Sequence, residues 1–148
     1  MKVSSKVYFS GMRPLPIAMS VVVTRVEGMK FKAEADGLEV VSGRVGEGAP
    51  LEGMTPGRLL TASLGLCTAM TLAGYCEEKG IKCDDLRIVV TAKTDKALGR
   101  AVAFEMEISM AGPLTEKERD AVLEAAKSCY VGKTLRGSPN ISYKLIVK

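Results

Sequence analysis

The feature that most constrains the fold is a long apolar run without charges, Leu59–Gly74, near the middle of the chain. Thr55 is a favourable N-cap before Pro56, and Gly80 favours termination. We therefore expect one helix from Pro56 to about Lys79. Its middle is apolar on nearly every side, so other protein must surround it. The run is shorter than the roughly 20 residues that span a bilayer, and we predict no membrane association.

Alternating or valine-rich segments on both sides of this helix predict β-strands. Before the helix we expect an antiparallel meander, followed by a Gly/Pro-rich loop over residues 42–55. After the helix we expect two more strands and a final strand at the end of the chain. The predicted strands are Ser20–Val26, Met29–Ala35, Leu38–Val41, Leu86–Lys93, Ala101–Met110 and Ile141–Val147.

A second helix is expected before the last strand. It begins at Pro113, and Thr115 and Glu118 form a capping box. It ends near Cys129. The order βββ–α–ββ–α–β predicts a single α+β domain over residues 20–148, with residues 1–19 as an N-terminal extension that holds a short strand at Lys6–Ser10.

The central helix also predicts the oligomeric state. A two-layer α+β monomer cannot cover an apolar helix on every side. A second copy of the chain is the simplest cover, so we expect a stable homodimer.

Charge and composition limit the classes of partner. The net charge is +4, and lysines interleave with acidic residues, as in Glu77–Asp85. Nucleic-acid-binding proteins usually carry a concentrated basic stripe, so we predict no nucleic-acid partner. Met1–Gly11 lacks the apolar segment of a secretory signal, which indicates a cytoplasmic protein, in which reactive cysteines are more often catalytic than structural.

The chain contains four cysteines and no histidine. Cysteine–histidine proteases are therefore excluded, and a reactive thiol must be activated by cations, carboxylates or another thiol. No Cys-x-x-Cys spacing exists, and Cys67 and Cys76 lie on opposite faces of the predicted helix. We therefore predict no metal site and no cofactor. Cys76 and Cys83 are interpreted as a small buried residue and an adventitious thiol.

Two glycine motifs do not support nucleotide binding. Gly43, Gly46 and Gly48 lie in a loop that continues for several residues before any helix, so we interpret them as a flexible connector. The segment 132–134, Gly-Lys-Thr, resembles the end of a P-loop, but Lys127 stands where that motif requires a glycine.

Cys67 and Cys129 are the candidates for thiol chemistry. Cys67 lies several turns into the predicted helix, too far from its N-terminus to benefit from the helix dipole, so its thiolate needs a nearby cation. Arg44 and Arg58 are candidates, because they come from the loop and the first turn that lead into this helix. For Arg58 a solvated surface position remains an alternative, as does a purely structural role for Cys67.

Two segments carry a resemblance to a known family. The first is Thr55–Tyr75, TPGRLLTASLGLCTAMTLAGY, and the second is Ala126–Leu135, AKSCYVGKTL. They resemble the central cysteine helix and the second cysteine segment of the OsmC/Ohr family, the osmotically inducible and organic hydroperoxide resistance proteins. Arg25–Phe31 fits the N-terminal meander of that family. The resemblance covers Ser20–Lys148 in the right order.

The resemblance implies an intertwined homodimer with two sheets around paired central helices and cysteine sites at the subunit interface. It also implies a thiol peroxidase that acts on organic hydroperoxides. In that case Cys67 attacks the O–O bond, and Cys129 resolves the sulfenic acid as a disulfide. A dithiol, such as a lipoylated protein, would then reduce the disulfide.

The chain departs from the family pattern beside the expected nucleophile. Peroxidase members carry a glutamate in the first helical turn, paired with an arginine, whereas this chain has Gly57 and Arg58. Glu47 and Glu52 could substitute from the preceding loop, and Arg44 best matches the loop arginine.

Two hypotheses for the function follow. The first is a hydroperoxide reductase that uses both cysteines and these arginines. The second is an OsmC-like module that binds an apolar ligand or senses redox state. Unreactive structural cysteines in a domain of unknown role remain a third interpretation.

Overall fold

The computed structural model describes residues 18–148 and contains two antiparallel sheets and three helices in this range. The α+β class is therefore confirmed, with the order βββ–α–ββ–α–α. The expected strand at Lys6–Ser10 lies outside the described residues. The elements are β1 (Val22–Glu27), β2 (Met29–Ala35), β3 (Leu38–Arg44), α1 (Pro56–Lys79), β4 (Arg87–Asp95), β5 (Arg100–Ser109), α2 (Glu116–Lys127) and α3 (Tyr130–Arg136).

The N-terminal meander forms a three-stranded sheet in the order β1–β2–β3. Asp36 and Gly37 both have positive φ, 52° and 77°, as a two-residue hairpin turn requires. β3 extends to Arg44, which pairs with Met29, so the strand is longer than the predicted one. A Cβ at Gly43 would lie 2.0 Å from the Met29 carbonyl oxygen, so this glycine permits close strand pairing and does not belong to a flexible connector.

Helix α1 has the predicted bounds. It follows Thr55, which has extended backbone but makes no side-chain cap, and Pro56 occupies its first turn. Gly80 ends it in the left-handed conformation, with φ 67°. The N–H of Ile81 donates to the carbonyl oxygen of Cys76 at 2.9 Å, as in a Schellman motif.

Only one stripe of α1 is buried within the chain. Leu64, Thr68, Leu72 and Cys76, spaced four residues apart, form this stripe. Leu66 on another face remains 59% exposed. The expectation that protein surrounds the helix is therefore met on one face only.

The length argument against a membrane span is wrong, because α1 is longer than its apolar run. With 24 residues, α1 is long and apolar enough to cross a membrane by length and composition. Its contacts with α2, α3 and β4 nevertheless make it the central helix of the domain.

Helices α2 and α3 pack against α1. The capping box of α2 is confirmed, because Glu118 N–H donates to the Thr115 hydroxyl oxygen at 3.1 Å and Thr115 N–H donates to the Glu118 carboxylate at 2.7 Å. Cys129 then begins the short helix α3, which the sequence did not predict. A small core joins α1, α2 and the β4–β5 sheet; it consists of Leu72, Val122 and Ala125, with Tyr75, Ile81, Leu86, Ile88, Ile108, Met110 and Ala126 around them.

The predicted final strand, Ile141–Val147, is wrong for the single chain. Residues 138–148 contain neither helix nor strand, and Tyr143 and Leu145 are 91% and 87% exposed. The alternation of apolar and polar residues is that of a strand. A strand also needs a sheet edge as its hydrogen-bonding partner, and this segment pairs with neither sheet.

The N-terminal sheet is largely uncovered in the single chain. All six residues of β1 are exposed, and its valines, Val22, Val23 and Val26, are 51 to 62% exposed. These side chains lie on both faces of the strand, since successive residues alternate. Among the described residues, the sheet makes no extensive contact with a helix.

Candidate active site

The contact between α1 and α3 brings two cysteines together. Cys67 lies in the middle of α1, and Cys129 is the N-cap residue of α3. Their sulfur atoms accept from consecutive backbone N–H groups, Cys67 from Val131 at 3.5 Å and Cys129 from Gly132 at 3.2 Å. Both cysteines are free thiols, as a reduced dithiol pair must be.

Cys129 is held by several polar contacts. Its backbone is extended (φ −64°, ψ 144°), which allows its side chain to turn back over the first turn of α3 and accept from Gly132 N–H. The Thr68 hydroxyl lies 3.3 Å from the Cys129 sulfur and 2.9 Å from the Leu64 carbonyl oxygen. Cys129 is only 2% exposed. Its sulfur is therefore fixed in place and is nearly inaccessible to solvent.

Cys67 is half-buried and less well supplied with hydrogen-bond donors. Burial is the main cause that raises the pKa of the Cys67 thiol above its usual 9.0, and the adjacent Cys129 raises it further. The N–H groups of Val131 and Tyr130 act in the opposite direction. Within one chain the geometry therefore favours the neutral thiol at Cys67.

Neither candidate arginine lies beside Cys67 in the single chain. Arg58 is nine residues from Cys67 in α1, which places it on the opposite face and about 13 Å away along the helix axis. It lines an open cleft of about 630 Å³ between α1 and β4, together with Leu66 and Val90. Arg44 is exposed at the end of β3 and makes no ion pair in the part of the chain that the structure describes.

The first turn of α1 contains no acidic residue, which agrees with the departure at Gly57 and Arg58. Of the two loop glutamates considered as substitutes, Glu52 forms an ion pair with Lys30 at 3.0 Å, and Glu47 is exposed. Neither carboxylate affects the Cys67 thiol in the single chain.

Sequence reasoning missed two residues of this site, Thr68 and Gly132. Thr68 follows Cys67 directly, which was visible in the sequence, whereas its full burial against Cys129 was not. Gly132 stands three residues after Cys129, the position whose N–H an N-cap side chain contacts. Recognising it required knowledge that a helix begins at Cys129, and Cys is not a favoured N-cap residue.

The other cysteines form a separate pair at the end of α1. Burial raises the pKa of Cys76 to about 11, and a hydrogen bond with Cys83 contributes. Such a thiol stays neutral and unreactive at neutral pH. Among residues 18–148, no group of histidine, cysteine and carboxylate side chains could hold a metal ion.

Solved structures with the same architecture have low sequence identity. A Psychrobacter arcticus 273-4 protein named for an osmotic stress and detoxification response has 21% identity and a TM-score of 0.67, over 86% of this chain and 90% of that one. An OsmC-like protein from Mycoplasma pneumoniae has 17% identity and a TM-score of 0.67, over 84% and 91%.

The organic hydroperoxide resistance protein OhrB of Bacillus subtilis has 19% identity and a TM-score of 0.50, over 82% of this chain and 92% of that one. At these identities the similarities establish the fold alone. No curated protein matches the chain. Residues 46–144, which include both cysteines of the α1–α3 contact, match the family model described as OsmC-like protein, and the chain therefore belongs to the OsmC-like family.

Proposed function

We propose that this protein is a thiol-dependent peroxidase that reduces organic hydroperoxides through Cys67 and Cys129. The observation that carries the proposal is the position of the two sulfur atoms on consecutive N–H groups, those of Val131 and Gly132. Two free thiols so placed, one half-buried and one buried, have the arrangement of a peroxide-reactive thiol and its resolving partner. The family, which includes organic hydroperoxide resistance proteins, supports the same chemistry.

The reaction begins at the more accessible sulfur. The Cys67 thiolate attacks the terminal oxygen of the hydroperoxide, the O–O bond breaks, and the leaving alkoxide takes a proton to become the alcohol. Cys67 is left as a sulfenic acid. Cys129 then attacks the Cys67 sulfur, and hydroxide leaves and is protonated to water. One hydroperoxide and two thiols thus give one alcohol, one water and one disulfide. A dithiol, such as a lipoylated protein, returns the pair to the reduced state.

The proposal includes a homodimer, which the exposed apolar surfaces support. Val22 and Val23 of β1, Leu66 of α1 and the C-terminal Leu145 are all exposed in the single chain. Exposed apolar surface on several elements often marks an interface, and pairing of two copies would cover it. We further propose that the cation for Cys67, Arg44 or Arg58, reaches the thiol from the second subunit, since neither reaches it within one chain.

A second candidate function rests on the environment of Cys67. Burial raises the pKa of its thiol, and Gly57 stands where peroxidase members carry a glutamate. If no arginine reaches Cys67 in the assembled protein, the thiol reacts slowly with peroxides. The protein would then bind an apolar ligand or sense redox state with the same cysteine pair.

Single-turnover kinetics separates the two functions. Reduced protein is mixed with cumene hydroperoxide, and the remaining thiols are counted over time. If the protein is a peroxidase, two thiols are lost rapidly in wild type and in the matched control Cys83→Ser. No rapid loss of thiols is expected in Cys67→Ser. In Cys129→Ser the reaction leaves a sulfenic acid on Cys67. A reaction no faster than that of free cysteine would contradict peroxidase activity and favour the second function, ligand binding or redox sensing.

A further inference from the structure

The two sulfur atoms of the candidate site differ in the hydrogen-bond donors around them. The Cys129 sulfur accepts from Gly132 N–H at 3.2 Å and lies beside the fully buried Thr68 hydroxyl. The Cys67 sulfur accepts at a longer distance, 3.5 Å from Val131 N–H, and the N–H group of Tyr130 also lowers the pKa of its thiol. Within the chain the Cys129 sulfur therefore has the closer hydrogen-bond donors, the kind of group that stabilises a leaving thiolate.

The guanidinium group of Arg136 lies near the Cys129 sulfur. A Cβ built on Gly132 would lie 2.9 Å from the Cys129 sulfur and 3.3 Å from Nη1 of Arg136. The sulfur and the guanidinium group therefore face each other across Gly132 and cannot be farther apart than the sum of these two distances. Only a glycine leaves this space open. Arg136 is held there, because its Nη2 donates to the carbonyl oxygen of Lys127.

Thr68 can respond to the charge state of Cys129. A hydroxyl group donates one hydrogen bond, and the Thr68 oxygen has two neighbours, the Leu64 carbonyl oxygen at 2.9 Å and the Cys129 sulfur at 3.3 Å. When Cys129 is a thiol, Thr68 donates to Leu64 and accepts from the S–H group. When Cys129 is a thiolate, rotation of the hydroxyl group directs its hydrogen to the sulfur. No side chain has to move for this exchange.

We propose that Arg136 and Thr68 are positioning residues that make Cys129 the leaving group when the Cys67–Cys129 disulfide is reduced, so that the reductant attacks Cys67. This rests on the proposed redox role of the pair. A reductant thiolate forms a bond to the Cys67 sulfur, the S–S bond breaks, and its electron pair goes to Cys129 as a thiolate. The second thiol of the dithiol then displaces Cys67, and the two protons of the dithiol end on the two cysteines.

Accessibility favours the same direction of attack. Cys67 is half-buried, whereas Cys129 is 2% exposed. An attacking thiolate must approach along the S–S axis, opposite the leaving sulfur. Electrostatics and access therefore both select Cys67 as the attacked atom, and the buried sulfur is released into a site that stabilises its charge.

The position of the mixed disulfide tests the proposal. The protein is oxidised with an azodicarboxamide oxidant, so the test does not depend on its reactivity with peroxides. It is then treated with the monothiol glutathione, quenched in acid and analysed by peptide mass spectrometry. We expect glutathione on Cys67 and a free thiol on Cys129. Glutathione on Cys129, or failure of the disulfide to form, would overturn the proposal.

Substitutions of Arg136 test the contribution of its charge. Arg136→Met should slow glutathione attack on the disulfide roughly three- to tenfold, as expected for one partly solvated charge. Arg136→Lys should restore most of the rate, and Arg119→Met, on the exposed surface of α2, serves as the matched control. A purely structural role would not be rescued by lysine or shift the adduct toward Cys129. Equal rates in Arg136→Met and Arg119→Met would remove Arg136 from the account.

Discussion

The Thr68 hydroxyl lies 3.3 Å from the Cys129 sulfur and joins the middle of α1 to the residue that begins α3. Thr68 directly follows Cys67, so this contact lies beside the other cysteine of the site. Thr68 is fully buried, and besides the Cys129 sulfur its hydroxyl group contacts the Leu64 carbonyl oxygen. One hydroxyl group therefore connects the stability of the helix pair with the chemistry proposed for it.

Valine has the same shape as threonine but lacks its hydroxyl group. Replacement of Thr68 by valine therefore tests what this hydroxyl group contributes to stability and to disulfide formation. We expect Thr68→Val to lower the free energy of unfolding by about 1 kcal/mol and to slow formation of the Cys67–Cys129 disulfide severalfold. Thr71→Val is the matched control, because the Thr71 hydroxyl donates to the Cys67 carbonyl oxygen at 2.8 Å in the same way and contacts no sulfur. Equal slowing in both variants would contradict the role of Thr68.

Gly132 should tolerate no side chain. A Cβ at this position would lie 2.9 Å from the Cys129 sulfur, so Gly132→Ala forces a shift of α3 and should cost about 1–3 kcal/mol of stability. It should also slow disulfide formation. Gly74→Ala in α1 is the control, because a Cβ there meets nothing within 4 Å, and we expect it to be neutral or stabilising by up to about 1 kcal/mol. Chemical denaturation measures both, and a neutral Gly132→Ala would refute the contact.

Cys76 should make stability depend on alkaline pH. Burial and Cys83 raise its pKa from 9.0 to about 11 in the folded protein. Between these values unfolding releases a proton that the folded state retains, so the contribution of Cys76 is complete below about pH 9 and is lost as pH rises toward 11. The loss is at most about 3 kcal/mol. The stability difference between wild type and Cys76→Ala should therefore shrink over this range, and parallel pH profiles would contradict it.

The C-terminal segment should contribute to the dimer through one face. Leu145 is 87% exposed in the single chain, so Leu145→Gln should leave a monomer intact. If a second subunit covers this side chain, the variant should weaken the dimer about tenfold or more, the value of one buried leucine. Lys144→Gln adds the same residue at the neighbouring position; in a strand paired with the second subunit this position would face the other way, so it should have little effect. Sedimentation velocity gives both dissociation constants. Identical constants would exclude the segment from the interface.

The elements that could be predicted from the sequence are those specified by local signals. Pro56 and Gly80 define α1 through backbone preferences that act within a few residues. Asp36 and Gly37 specify a hairpin for the same reason. The prediction failed for Ile141–Val147, because a strand forms only against a sheet edge, and that edge is not part of the local sequence.

The cysteine pair was predicted from motifs, but the environment of its members was not. Cys67 and Cys129 were both identified, whereas Arg58 lies on the far face of α1 from Cys67. The donors to Cys129 come from Thr68 in α1 and Gly132 in α3, and the guanidinium group of Arg136 at the end of α3 lies nearby. Only the packing of the helices brings these groups together. No spacing within one segment contains this information.

The central claim is that a hydroperoxide oxidises Cys67 and Cys129 as one pair. The most direct measurement is disulfide mapping by peptide mass spectrometry after reduced protein reacts with one equivalent of cumene hydroperoxide. The account predicts a single crosslink between the Cys67 and Cys129 peptides, with Cys76 and Cys83 still reduced. Recovery of free Cys67 and Cys129, or a crosslink that involves Cys76 or Cys83 instead, would contradict it.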